Sequence, residues 1–369
     1  MNLSYKYCNH TFFISCDRVK NKALRTSLIS SLRNAFKGFI NDEECFDKSI
    51  LHFSFTDDLD SLFKSKDFVF KNKTKVSDSQ TYFSDDEISF IINHDNLNKI
   101  YVGIKNRSNF FSSKLFNKSF KNSIDLQISA FYYRIFLLYS QIWNVNNNYT
   151  YLHASSIQKD NDAILFSADS GVGKSSLLIA LSDDKSIKFI SDDLTIISQD
   201  SKCFFQGRCI SIKPYHLDLF HVIKNKLTGH MPFLQKVQWN LINDNRLNYR
   251  LNPSLLFKER ICQTSKIKRV IHIVNHNSVS FKIEKISVKK FCSLAIPILM
   301  NELFLANHKL NKLSSLNISH SKSVLDIYNS SKMIIEKAFN NIEIQLVYAP
   351  HKTHPNVLSE FLKKKGCLD

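Results

Sequence analysis

Glycine is scarce in this chain, 7 of 369 residues, while Lys, Asn, Ile and Phe are abundant throughout. That bias matches AT-rich coding, and it makes any close pair of glycines informative. Eight cysteines are scattered from Cys8 to Cys367 without a C-x-x-C pair, which excludes a zinc-ribbon pattern and a disulfide framework and fits reduced thiols in a cytoplasm. No basic segment followed by an apolar one opens the chain, so no secretory signal is expected. The longest apolar run, Ser123 to Val145, is interrupted by Asp125, Gln127, Arg134 and Gln141, so a membrane partner is not expected and a helix packed inside protein is. No fixed-period repeat is visible, which excludes a solenoid. Acidic residues are outnumbered, 33 against 50 Lys plus Arg, for a net charge of +17. That balance favours an anionic partner. The charge is nevertheless spread along the chain without aromatic-interleaved clusters, so nucleic acid is not the expected partner.

A hydrophobic content of 43% with 22% charged residues is ordinary for a folded protein, and the length suits two domains. Residues 1–121 read as a small α+β module. It has β-type runs at HTFFIS, ILHFSF, DFVFKN, EISFII and IYVGIK, and an amphipathic helix carrying Leu24, Leu28, Leu32, Ala35, Phe36 and Phe39. The strands are expected to form an antiparallel meander, with polar loops at 71–80 and 105–123. Residues 122–369 open on the long helix and continue as strands alternating with helices, an α/β pattern. Strands are expected at YLHASSI, AILFS, IKFIS, LTIIS, CISIK, RVIHIV, VSFKIEKI and EIQLVYA, and Pro297 is expected to kink or break the helix that contains it.

Two of the scarce glycines stand in one loop, Ala168-Asp169-Ser170-Gly171-Val172-Gly173-Lys174-Ser175. This is the spacing of a phosphate loop: a small residue, four variable ones, then G-K-S. The apolar strand AILF delivers the loop, glycines let N–H groups turn toward phosphate oxygens, and the following helix offers its N-terminal donors. Ser170, Gly171, Val172, Gly173, Lys174, Ser175 and Ser176 are the expected nucleotide-binding residues, with Lys174 on the β- and γ-phosphates and the Ser175 hydroxyl on Mg²⁺. Downstream, Asp192 and Asp193 end an apolar run, where a metal and a general base are needed. Upstream, a hairpin would bring His153 back beside the loop.

Together, LHASSI, SADSGVGKSS and FISDDLTII resemble the catalytic domain of HPr kinase/phosphorylase and of the broader HPr-kinase-related kinases, which include enzymes of ribosomal peptide and lasso peptide pathways. The resemblance covers about residues 122–349 and implies a P-loop kinase core of the HPr kinase/phosphoenolpyruvate-carboxykinase-like type, preceded here by the α+β module. It implies ATP and Mg²⁺ as cofactors and a Ser or Thr hydroxyl of a peptide or protein as acceptor. Lys174 and Ser175 become nucleotide and metal ligands, Asp192 the base, Asp193 a metal or base-orienting partner and His153 a helper near the transferred phosphate. Arg208 and Lys213, in GRCISIKPYHLDLF, become candidates for phosphate or substrate contact. The E-[IL]-R-G-x-G segment of HPr kinase/phosphorylase has no counterpart, since Gly207 and Arg208 lack its acidic neighbour. HPr as substrate and reverse phosphorolysis are therefore not implied. The module, as a substrate-recognition unit, is closer in layout to the related kinases.

Three other readings stay open on these residues: a nucleotide-gated binding module without phosphotransfer, a kinase of a small alcohol, and a nucleic-acid-associated ATPase. A homo-oligomer also stays open.

Overall fold

The computed structural model describes residues 2–8, 10–39, 49–64, 68–71, 73–84, 88–105, 123–221, 224, 229, 231, 236–237, 239, 241, 247–315 and 322–369. Cys45 and most of the polar segment expected at the domain boundary lie outside them. The chain forms two compact units, Met1–Trp143 with Leu303–Ile327, and Asn144–Glu302 with Tyr328–Asp369.

The first unit carries β1 (Asn2–Tyr7), β2 (His10–Arg18), α1 (Lys22–Ala35), β3 (Ser49–Thr56), β4 (Val69–Lys71), β5 (Thr74–Val76), β6 (Gln80–Ser84), β7 (Ser89–Asn93) and β8 (Asn96–Gly103). Helix α1 starts where Asn21 Oδ1 accepts the Leu24 N–H at 3.0 Å, and it buries Leu24, Leu28 and Leu32. The sheet order is β1-β2-β3-β8-β7-β6-β5-β4. The meander is antiparallel from β8 to β4, but β2 with β3 and β3 with β8 run parallel. Parallel neighbours need a crossover, and α1 supplies the one between β2 and β3. The polar stretch 71–80, expected as a loop, instead contains strand β5 and reaches the start of β6.

Next come α2 (Ser123–Phe131), a π-helical turn at Tyr132–Phe136 and α3 (Leu137–Asn146). This long helix was expected to open the second domain at residue 122, yet the division falls after Trp143. Aromatic contact explains the difference. Phe131 lies 5.1 Å from Phe53 and 5.0 Å from Phe55, and Phe136 lies 4.9 Å from Phe12, centroid to centroid.

The second unit holds β9 (Tyr149–Leu152), β10 (Ala154–Lys159), β11 (Asp162–Ala168), α4 (Lys174–Leu181), β12 (Lys188–Ser191), β13 (Thr195–Ser198), β14 (Lys202–Phe204), β15 (Ile210–Ile212), α5 (Pro214–Leu219), β16 (Tyr249–Leu251), α6 (Ser254–Phe257), β17 (Thr264–His276), β18 (Lys282–Lys285) and α7 (Val288–Glu302). The chain then returns to the first unit for α8 (Phe304–Ser314). Helix α9 (Val324–Ala338) leads back to β19 (Glu343–Pro350) and α10 (Pro355–Lys364). The main sheet runs β12-β10-β11-β17-β14-β13-β9, with β19 against β17 and β18. Among the described strands of this sheet, β11, β17 and β19 form a parallel set and the other strand–strand pairings are antiparallel, with one isolated parallel bridge from Phe189 of β12 to Ile261. The fold is thus mixed α/β with mixed sheets, less regular than strict alternation of strand and helix. Phe291, Cys292, Ala295 and Ile296 of α7 and Ile335 and Ala338 of α9 pack with Leu165, Ile190, Val270 and Ile344 in one buried cluster. Pro297 stands inside α7 and does not end it, for the helix continues to Glu302. No described helix is long and apolar enough to cross a membrane.

Candidate functional site

Strand β11 is buried from Ala163 to Ala168, so the chain emerges at Asp169 from a rigid support. The turn that follows needs left-handed backbone at Gly171 (φ 84°) and Gly173 (φ 113°). A Cβ at either position would meet nothing within 4 Å, so it is the dihedral angle, and not crowding, that requires glycine. Gly173 then caps α4. Among the loop donors, the Ser170 N–H is held by Asp169 Oδ1 at 2.7 Å, and the Val172 N–H reaches Asp169 O only at 3.5 Å.

Lys174 is buried, and its ammonium turns back under the loop. Nζ donates to Ala168 O at 2.9 Å and Asp169 O at 3.0 Å, and lies 2.8 Å from His153 Nε2. Burial lowers the pKa of this amine, while the carboxylates of Asp193, Asp192, Glu302 and Asp169 oppose the shift.

His153 sits at the bend between β9 and β10, so the YLHASSI stretch is two strands broken at the histidine. Strand β10 pairs antiparallel with β11, which brings His153 beside the loop as the hairpin reading expected. The imidazole is 2% exposed. Burial and then the Lys174 charge lower its pKa against Asp193, Glu302 and Asp192, so it is neutral near neutrality. With Nε2 facing an ammonium donor, the proton belongs on Nδ1. Nδ1 makes no hydrogen bond and lies 3.8 Å from Asp193 Oδ1.

The twin aspartates face different ways. Asp192 is fully buried. Its Oδ1 accepts from the Ser155 hydroxyl at 2.7 Å, both oxygens lie 3.0 Å from the Ser175 hydroxyl, and Oδ2 accepts the Ser211 N–H at 3.2 Å. Asp193 adopts φ 71°, keeps 26% of its side chain exposed and forms an ion pair with Arg208. Burial works to raise its pKa, but Arg208, Arg250, His153 and Lys174 outweigh that and hold it well below the usual carboxylate range.

The remaining expected residues divide. Arg208, itself buried, joins the cluster through Asp193. Ser170 joins it by donating its hydroxyl to the Glu302 carboxylate. Ser176 instead points its hydroxyl at His216 Nε2, 3.0 Å away. His216 Nδ1 accepts the Lys213 N–H at 2.9 Å, so Nε2 carries the proton and donates to Ser176. Among the described residues, no hydrogen bond or ion pair joins the Lys213 side chain to the cluster.

Sequence reasoning missed three members. Ser155 and Ser211 fix Asp192, and Glu302 at the end of α7 approaches His153 Nε2 to 3.7 Å. Nothing local marks them; strand pairing and a helix that passes Pro297 bring them in. His272, which is buried, is a further neighbour, with Nδ1 3.3 Å from Ser167 Oγ on the strand beneath the loop.

Ser175 Oγ and the Asp192 carboxylate form a pair of hard oxygen donors of the kind Mg²⁺ takes, and a buried lysine and two glycine-shaped turns adjoin them. The site therefore fits a nucleotide phosphate with its metal.

No family model matches the chain, and no curated protein matches it. Among solved structures, it aligns with the Hpr(Ser) kinase/phosphatase from Coxiella burnetii at 10% identity, over 59% of this chain and 92% of that one, with a TM-score of 0.28.

Proposed function

We propose that the second unit is an ATP- and Mg²⁺-dependent phosphotransferase that moves the γ-phosphoryl group to a hydroxyl, with Ser or Thr of a peptide or protein as the favoured acceptor. One observation carries this reading. The serine directly after the loop lysine is hydrogen-bonded through its hydroxyl to a fully buried aspartate, at 3.0 Å, the pairing that phosphoryl transfer uses to hold its metal.

In this reading Ser175 and Asp192 hold Mg²⁺, which when bound neutralises charge on the transferring phosphate. Lys174 leaves the carbonyls of its own loop for the phosphate oxygens, an exchange of one set of acceptors for another. Asp192 has both oxygens engaged within protein, so Asp193, partly exposed and aimed into the cluster, is the carboxylate an acceptor hydroxyl can reach. This reverses the roles the resemblance implied for the pair. Arg208 keeps Asp193 ionised, which makes it a weak base. Phosphoryl transfer tolerates that, because its catalysis is mainly positioning and charge stabilisation. The cationic groups around Asp193 suit a phosphorylated product.

The test is ATP binding by calorimetry, followed by mass spectrometry of Ser- and Thr-containing peptides encoded beside this gene, incubated with ATP and Mg²⁺, with Lys174→Ala as control. A phosphoryl mass gain that Lys174→Ala abolishes is expected. Tight ATP binding with no transfer to any peptide or small alcohol, and no hydrolysis, would establish the nucleotide-gated binding module instead. Absence of ATP binding would remove both.

A further inference from the structure

Glu302 is the last residue of α7, and 25% of its side chain is exposed to water. The backbone around it is anchored, since Leu299 and Leu303 are both buried. Among the described residues, the one hydrogen-bond donor to its carboxylate is the Ser170 hydroxyl, from the glycine turn itself. The same oxygen, Oε1, lies 3.7 Å from His153 Nε2, the atom that meets the Lys174 ammonium at 2.8 Å. Its charge helps to keep that buried amine protonated. One carboxylate oxygen is thus shared between the hydroxyl and the lysine of the phosphate loop. Asp192 and Asp193 also face the amine, but Asp192 has three donors of its own and Asp193 has Arg208. Glu302 is the carboxylate with least else to hold it.

We propose that Glu302 is an anionic latch on the phosphate loop, standing in for the terminal phosphate of a nucleotide, and that it sets the preference of the loop between triphosphate and diphosphate. The inference rests on the nucleotide reading above. Carboxylate and phosphate oxygens accept from the same charged donors, so the two compete for Lys174 and Ser170. Two anions on one ammonium also repel, and in a partly buried site they repel several times more strongly than in water. A triphosphate must therefore expel the carboxylate. A diphosphate leaves it in place, where it continues to neutralise Lys174. Expulsion takes only a side-chain rotation, because one hydroxyl bond breaks, the carboxylate moves into water that it already touches, and the buried leucines keep the helix end where it is. Once the terminal phosphoryl group has left, the carboxylate returns to Ser170 and the ammonium. Asp193 takes no part in the latch and stays available to the acceptor hydroxyl.

The experiment is calorimetry of ATP and of ADP, each with Mg²⁺, binding to the full chain as wild type, Glu302→Gln and Glu302→Asp. Gln keeps the size and an acceptor for Ser170 but removes the charge, whereas Asp keeps the charge and withdraws it by one methylene. Glu302→Gln is expected to tighten ATP at least about tenfold while ADP stays within about twofold of wild type. Glu302→Asp is expected to move the ratio of the two affinities in the same direction by less. A glutamate that only supports the fold would move both nucleotides together. An unchanged ratio in Glu302→Gln overturns the latch, as does a loss of ATP affinity greater than the loss for ADP, which would make Glu302 a partner of the bound triphosphate and not its competitor. Melting curves accompany each titration, and if Glu302→Gln does not fold, Glu302→Asp decides on the same ratio. ATP bound with an unchanged ratio sinks the latch and leaves the nucleotide reading standing. ATP bound by Glu302→Gln but not by wild type supports both, and no nucleotide bound by any of the three removes both.

Discussion

At the residue scale, the difference between Asp192 and Asp193 decides the chemistry. Asp192 is fixed by three donors, Ser155, Ser175 and Ser211, and so can change little except the state of Ser175. Asp193 faces Arg208, His153 and partial solvent. Asp192→Asn is expected to raise the Mg²⁺ concentration for half-maximal turnover about tenfold, while Ser155→Ala, which only loosens Asp192, has a smaller effect in the same direction. Asp193→Asn is expected to leave the Mg²⁺ dependence and ATP affinity near wild type and to lower kcat about a hundredfold, the scale of losing one positioned charge in a transition state. Steady-state kinetics across a Mg²⁺ series, with ATP binding measured alongside, separates the two. The opposite pattern would return the base role to Asp192.

At the element scale, the site depends on α4 holding its place behind the loop, and the end of that helix is secured from a distance. Arg260 spreads its guanidinium over three carbonyls, donating from Nη1 to Asp184 O at 2.6 Å and Ile187 O at 2.5 Å, and from Nη2 to Ser182 O at 2.7 Å. Its charge also lies 5.5 Å from the Phe257 ring. Arg260→Ala is expected to destabilise the unit by about 2–3 kcal/mol, because charge-assisted bonds are lost and the carbonyls are left without their donors. Arg260→Lys should recover less than half of that, since an ammonium cannot fork across three acceptors. Urea unfolding measures both, and an Arg260→Ala change within about 0.5 kcal/mol of wild type would show that water satisfies those carbonyls.

The same elements mark what the sequence could and could not tell. Loop, strand and Asp pair were legible because each is specified within about a dozen residues by glycine spacing and apolar runs. Strand direction was not. The pairing of Ser167 with His272 and of Ile271 with Gln345 makes β11, β17 and β19 parallel across long sequence separations, which no local pattern encodes. Glu302 was hidden for a different reason: proline in a helix interior normally disrupts it, yet Phe291, Ala295 and Ile296 are buried against the sheet, and that packing carries α7 past Pro297.

At the scale of the whole molecule, two of the histidines buried in the second unit, His216 and His272, contribute to its tolerance of acid. Burial, reinforced by the Lys213 charge, pushes His216 down from 6.5 to about 4. Burial, then the nearby Lys174 charge, pushes His272 down from 6.5 to about 4, against Asp169. Both are depressed in the folded state, so the unfolded chain binds more protons between those values. Stability contributed by their neutral forms is complete above about pH 6.5 and is lost as pH falls toward about 4, by roughly 3 kcal/mol for each imidazole. The ion pairs cannot mimic this window, because Asp184, held at about 2 by Lys363 and Ser186, gives up its share only below the ordinary carboxylate value. Melting temperature is therefore expected to fall steadily between about pH 6.5 and pH 4, and His272→Gln, which removes one titrating group and keeps a polar partner for Ser167, should flatten that slope. A wild-type melting temperature that holds constant across the window, or a His272→Gln slope equal to wild type, would mean that water reaches these imidazoles and lets them charge in place.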